Sequence, residues 1–100
     1  MAEIKWTDHA LKNISDIADY ISLDSVHYAE LFVRNIFEKT LILESFHLSG
    51  RIVPEFSSIH LRELIYGTYR IVYKLYDNHL DIIAVHHSSR ILSNKSLFEN

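Results

Sequence analysis

Apolar positions recur with two different periods along this chain, and the change falls near Gly50. Before it, Ala10, Leu11, Ile14, Ile17, Ala18 and Ile21 fall on one helical face, with Lys12, Asp16 and Asp19 turned outward. Thr7 suits the N-cap of that helix, and Asp8 suits its positive end. Ala29, Phe32, Val33, Ile36, Phe37, Thr40 and Leu43 predict a second helix, capped by Asp24 or Ser25. It is expected to run to about His47, with Gly50 as its stop. The short gap between the two makes them an antiparallel hairpin. Ahead of both, Glu3-Ile4-Lys5-Trp6 alternates like a short strand.

After Gly50 the pattern is that of strands. His60–Tyr66, Tyr69–Tyr76 and His79–His87 are rich in Ile, Val, Leu and Tyr, and are joined by Gly67-Thr68 and Asp77-Asn78. Both pairs suit two-residue hairpin turns, with Gly first in one, as a type II′ turn prefers. Taken literally, they set Tyr66 opposite Tyr69, Ile65 opposite Arg70, Tyr76 opposite His79 and Lys74 opposite Asp81. One face then holds Leu64, Ile71, Tyr73, Leu75, Leu80, Ile82 and Ala84. The other holds Glu63, Val72, Arg70, Lys74, Asp81, Ile83, Val85 and His87. The first face is expected to pack on the helices and the second to stand open to solvent. The predicted fold is α+β in two layers: an N-terminal short strand, an antiparallel two-helix hairpin, then a three-stranded antiparallel meander packed on the helices.

At 100 residues the chain fits one domain, 1–100. Its longest apolar runs are about four residues, against the twenty or so that a membrane span needs. The first residues lack the pattern of a signal peptide, so a soluble cytoplasmic protein is expected. With no Cys there is no disulfide framework, thiolate zinc site or Cys nucleophile. Seven His residues raise the question of a metal. None, however, has a second His four residues on, and His86 and His87 point to opposite sides of a strand. Neither a metal nor a cofactor is expected. The net charge of −3 argues against a general nucleic-acid coat protein. Residues 1–45 carry eight acids and four bases, whereas residues 46–100 carry five acids and six bases. Any contact with phosphate is therefore expected in the second half.

Candidate chemistry gathers on the second sheet face, at Arg70, His87 and Glu63. In the literal register His87 lies opposite Thr68 and Arg70 opposite Val85, which makes Arg70 and His87 diagonal neighbours roughly 7–8 Å apart. Both then reach one phosphodiester, the arginine clamping oxygens and the histidine moving a proton. The plainer alternative is that Arg70 pairs with Glu63 as structure and His87 simply ends a strand. Arg51 with Glu55 reads equally as a surface ion pair or a substrate clamp. Arg62 falls at the edge of the packed face beside Tyr73. Tyr20, Tyr28, Phe32 and Phe37, at helical spacings, read as core or helix–helix packing.

Trp6-Thr7, Gly50-Arg51-Ile52-Val53-Pro54-Glu55, Arg62-Glu63-Leu64, Tyr69-Arg70-Ile71-Val72-Tyr73 and Val85-His86-His87-Ser88-Ser89-Arg90 follow one another at set distances. As an ordered set they resemble the RelE/ParE superfamily of toxins from bacterial type II toxin–antitoxin modules. The likeness covers nearly the whole chain. It implies a cytoplasmic growth inhibitor neutralised by a cognate antitoxin in a toxin–antitoxin hetero-oligomer, with no membrane role. RelE-like members cleave messenger RNA in the ribosome, whereas ParE-like members act on DNA gyrase. The Val85–Arg90 ending resembles the ParE branch, with His87 and Arg90 at the corresponding positions, and the lysine cluster of RelE is missing. The gyrase-directed reading is therefore placed ahead. In it, loss of function is expected at Arg90 and the stretch 91–100; Arg51, Arg62 and Arg90 are the substrate- or target-binding candidates, the first two as clamp partners of Arg70 if the protein is a nuclease.

Two alternatives stand beside it. A ribosome-dependent, metal-independent endoribonuclease would use Glu63 or His87 as acid and base and Arg70 as clamp. A protein without toxicity would act only by binding its antitoxin. The segment 93–100 reads as either a short helix or a tail that folds on binding.

Overall fold

The computed structural model describes residues 2–98. In it Glu3–Trp6 forms β1, Asp8–Ser22 α1 and Val26–Thr40 α2, followed by a tight 3-10 turn at Leu41–Glu44. Then come Arg51–Ile52 (β2), Leu61–Tyr66 (β3), Tyr69–Leu75 (β4), His79–His87 (β5) and a short helix, Asn94–Phe98 (α3). The strands make one five-stranded sheet in the order β1-β5-β4-β3-β2. The expected α+β layering and the β3–β4–β5 meander are present. Two short strands extend it: β1 lies parallel to the start of β5, and β2 runs antiparallel to β3.

Local signals account for most of these elements. The Thr7 hydroxyl accepts the Ala10 N–H and caps α1, and Ser25 does the same for Tyr28 at the start of α2. Gly67 has φ of +57°, the left-handed geometry that the first position of this hairpin turn demands. The β3–β4 register is the one set by that turn, with Tyr66 opposite Tyr69 and Ile65 opposite Arg70.

Gly50 has a different role from the expected helix stop. Residues 41–44 have already tightened and ended the helix, several residues earlier. Instead Gly50 is buried under Tyr73, whose hydroxyl accepts the Gly50 N–H at 2.9 Å and donates to the His47 carbonyl at 2.8 Å. A Cβ at Gly50 would lie 2.6 Å from that hydroxyl and 2.7 Å from the Glu63 carbonyl oxygen.

The β4–β5 register also departs from the literal hairpin. Lys74 faces Asp81 and Tyr73 faces Ile82 as expected, but Val72 faces Ala84, so Ile83 is an extra, bulged residue. Beyond it every partner moves by one: Arg70 faces His86, and Tyr69 faces His87. Residues of α1 and its cap satisfy the backbone here. Thr7 Oγ1 lies 3.2 Å and 3.3 Å from the Ile82 and Ile83 carbonyls, and Asn13 Oδ1 accepts the Val85 N–H at 3.0 Å.

The bulge exchanges faces. Val85 joins Leu64, Ile71, Tyr73, Leu80 and Ile82 in the core beneath α1 and α2, with Ala10, Ile14, Phe32 and Ile36 opposite them. Ala84 turns to the other side. That side is not open, contrary to expectation. Val53, Leu61, Val72, Ile83, Ala84, Leu92 and Leu97 form a second core there, covered by the 53–57 turn and the C-terminal segment. The reason is apolar area: Val72 and Ile83 are too costly to leave wet on a sheet face, at roughly 1.5–3 kcal/mol for each large aliphatic buried.

Candidate functional site

The sequence candidates divide between the two sides of the sheet. On the second side, Arg70 and Glu63 are only 5% and 1% exposed. The Arg70 guanidinium grips Glu55 with Nη1 on Oε2 and Nη2 on Oε1, each at 2.7 Å, and its Nε donates to Glu63 Oε1 at 2.7 Å. Nη1 also donates to the Arg90 carbonyl at 3.1 Å, and Glu55 Oε2 accepts the Leu92 N–H at 2.8 Å. Arg51 bonds the other oxygen of Glu63 from the surface. Arg70's hydrogen bonds, helped by the Leu92 amide, pull the Glu55 carboxyl down to about 2 against the opposing effect of burial. The two carboxylates in turn raise the Arg70 pKa. The Arg70 guanidinium and both carboxylates are bonded within this cluster, so it works as an internal clamp between β3, β4, the 53–57 turn and the chain after β5.

The expected pairing of Arg51 with Glu55 is therefore replaced by Arg51 with Glu63 and Arg70 with Glu55. Arg62 is also committed to structure: its guanidinium donates to the carbonyls of Leu48, Gly50 and Ile59. It stitches the loop before β2 to the loop before β3.

His87 lies on the opposite side from Arg70, so the expected diagonal pair is not assembled. The cause is the Ile83 bulge, which turns His87 toward the helices. There it flanks a groove of about 400 Å³ lined by Asn13, Asp16, Ile17 and Tyr20 of α1, Tyr69 of β4, Val85, His86 and His87 of β5, and Arg90. The His87 ring stands edge-on to Tyr69 with centroids 5.9 Å apart. Its Nδ1 accepts the Ser89 N–H at 3.1 Å and sits 2.8 Å from the Ser89 hydroxyl oxygen. A backbone N–H can only donate, so the neutral ring carries its proton on the far nitrogen, Nε2. Arg90 is exposed, and the turn that carries it is held by its N–H on the His87 carbonyl at 3.0 Å.

Of the six sequence candidates, this groove brings together only His87 and Arg90. It adds three residues that the sequence reading missed or misplaced. Tyr20, read as packing, is 74% exposed at the rim, and Tyr28 is likewise turned outward at 65%. Tyr69 and Asn13 enter because the bulge and the α1 register place them there. The wheel position of Tyr20, between Ile17 and Ile21 but off the apolar stripe, was the available signal. The groove presents an imidazole N–H donor, two phenols and a guanidinium, a set suited to gripping a polar or anionic surface. Among the described residues, no group of three or more His, Asp or Glu side chains is placed to hold a metal. No helix of the structure is long and apolar enough to cross a membrane.

No curated protein matches the chain. A solved structure titled "Chromosomal ParDE TA system from P. aeruginosa" superposes with a TM-score of 0.73 at 21% identity, over 87% of this chain and 96% of that one. At that identity the likeness establishes the fold. The family model for the ParE toxin of type II toxin–antitoxin systems (parDE) matches residues 4–92. That span runs from β1 through both helices and the whole meander to the turn carrying Arg90, and on it the chain belongs to the ParE toxin family.

Proposed function

We propose that this protein inhibits growth by binding DNA gyrase through the His87–Arg90 groove, and that a cognate antitoxin neutralises it. The observation that carries the choice of target is the burial of Arg70 and Glu63. A metal-independent ribonuclease needs a base, an acid and a cation at one accessible phosphate. Here Arg70 and Glu63 are neutralised on one side of the sheet while His87 stands on the other. The exposed groups that remain are those of a binding surface. The antitoxin is supported by family membership and by exposed apolar residues on the helix hairpin: Tyr20, Leu23, Val26 and Tyr28 are 63–81% exposed.

Gyrase supercoiling with purified protein, in parallel with a cell-free translation reaction whose messenger ends are mapped by primer extension, tests the target. Inhibited supercoiling with intact messenger is the expected result. Cleavage of messenger only during translation would overturn it in favour of the nuclease reading. One specific observation favours that second reading: His87, Tyr69, Tyr20 and Arg90 line one groove, and such side chains can move protons and hold a phosphate without Arg70. Inhibition of neither process would leave antitoxin binding as the sole activity.

A further inference from the structure

The polar groups that line the groove beside His87 are engaged in one sense and free in the other. Asn13, Asp16, Ile17 and Tyr20 are spaced i, i+3, i+4 and i+7, so one face of α1 forms a wall of it. Asn13 Oδ1 accepts the Val85 N–H at 3.0 Å. A backbone N–H only donates, so this bond fixes the amide with Nδ2 as its free end. Lys12 Nζ donates to both oxygens of Asp16, at 3.2 Å and 3.0 Å. His87 Nδ1 accepts the Ser89 N–H, and His86 turns its ring to the Ser96 carbonyl. The donors, by contrast, are available. Asn13 Nδ2, His87 Nε2–H, the Tyr20 and Tyr69 hydroxyls and the Arg90 guanidinium make no hydrogen bond to any described residue. We propose that these five groups form a seat for an oxyanion, with Asn13 as a further binding residue, and that the occupant is the carboxylate of an acidic side chain on the target protein.

The nature of that target rests on the gyrase reading above; the preference for an oxyanion rests on the donors alone. A charged acceptor roughly doubles the strength of each N–H bond it receives, and a carboxylate offers about four lone-pair directions to share among them. The surroundings favour a carboxylate over a phosphodiester. Ile17 and the rings of Tyr20 and Tyr69 set apolar surface beside the donors, as suits one acidic side chain with apolar neighbours. A nucleic-acid backbone instead rewards several cations at once. Arg90 is the only Arg or Lys among the described residues that line the groove, and the chain as a whole carries −3.

Asn13→Asp tests the seat at one atom. The aspartate keeps an oxygen for the Val85 N–H and sets a carboxylate oxygen where the amide donor stood. Gyrase inhibition is expected to fall about tenfold or more, with Tm unchanged within about 2–3 °C. Asn78→Asp adds the same charge in the turn at the other end of β5 and should leave inhibition as it was. Undiminished inhibition by Asn13→Asp, or an equal loss in Asn78→Asp, would overturn the seat. A second measurement needs neither variant nor target. Sodium acetate titrated into the wild-type chain should shift the NMR signals of the Asn13 side-chain amide, His87 and Arg90 saturably in the millimolar range. No saturable shift, or the same shifts with sodium chloride at equal ionic strength, overturns the seat even if Asn13→Asp does not fold. Inorganic phosphate binding about tenfold more tightly than acetate overturns the carboxylate and points to a nucleic-acid backbone. If acetate binds while the wild type leaves supercoiling untouched, the gyrase reading fails and the oxyanion seat stands.

Discussion

Arg70 and Glu55, fifteen residues apart in the chain, meet in a two-toothed ion pair with both contacts at 2.7 Å and with the arginine side chain 6% exposed. The pair fastens the 53–57 turn to the middle of the sheet. Through Leu92 it also fastens the chain that returns after β5.

Removing Glu55 strands a buried cation that retains only Glu63. Glu55→Ala should destabilise the fold by about 3 kcal/mol, the low end for breaking a buried pair because the carboxylate is partly exposed. For a chain of this size that is a drop in Tm of about 10 °C or more. Thermal unfolding followed by circular dichroism checks it, and an unchanged Tm would show that the clamp contributes nothing.

The same carboxyl sets an acid limit. Its folded pKa, about 2, lies below the ordinary 4.5, so the unfolded chain takes up the proton more readily. The stabilisation is complete above pH 4.5 and is lost progressively as pH falls toward 2. Urea unfolding at a series of pH values should show this loss in the wild type and much less of it in Glu55→Gln.

Glycine positions should divide by cause. Gly50→Ala forces a methyl group to 2.6 Å from the Tyr73 hydroxyl and against backbone at Glu63, and should cost about 2 kcal/mol or more. Gly67→Ala meets nothing within 4 Å and has only the cost of its φ of +57°, about 1 kcal/mol. Chemical denaturation of both variants ranks them, and equal losses would refute the packing role of Gly50.

Function and stability should separate at the two sides of the sheet. His87→Ala and Arg90→Ala should each weaken gyrase inhibition about tenfold, as loss of an interface anchor does, with Tm unchanged within 2–3 °C. Arg70→Ala, leaving Glu55 without a cation and buried Glu63 with Arg51 alone, should instead lower Tm sharply. Growth assays on induced cells and melting curves on the purified variants give both readouts. If Arg70→Ala abolished toxicity while Tm held, the clamp would be a catalytic group after all.

The second-side cluster shows how site geometry escapes sequence reading. Arg70, Glu63, Glu55 and Arg51 were each visible as charged residues near strands, but their partners depend on a turn and a tail folding back over the sheet. Ser57, with φ of +53°, marks the turn that delivers Glu55, yet no Gly or Asn announces it in the sequence. His87 was legible as a candidate; the side of the sheet on which it stands was not.

The sequence by itself determined the helix cap at Thr7, narrowed the second cap to Asp24 or Ser25, and determined the Gly67 turn, the β3–β4 register and the apolar stripe beneath the helices. Each of these rests on contacts within a few residues or on a simple period. The ordered motifs also carried the family. Only the tertiary structure decided the bulge at Ile83, because it depends on Thr7 and Asn13, more than seventy residues away, meeting the backbone of β5. That one extra residue reverses the faces of Ala84 and Val85 and sends His87 and Arg70 to opposite sides. A strand's side chains alternate with period two, so a single inserted residue inverts everything beyond it, and nothing local reveals where the insertion lies.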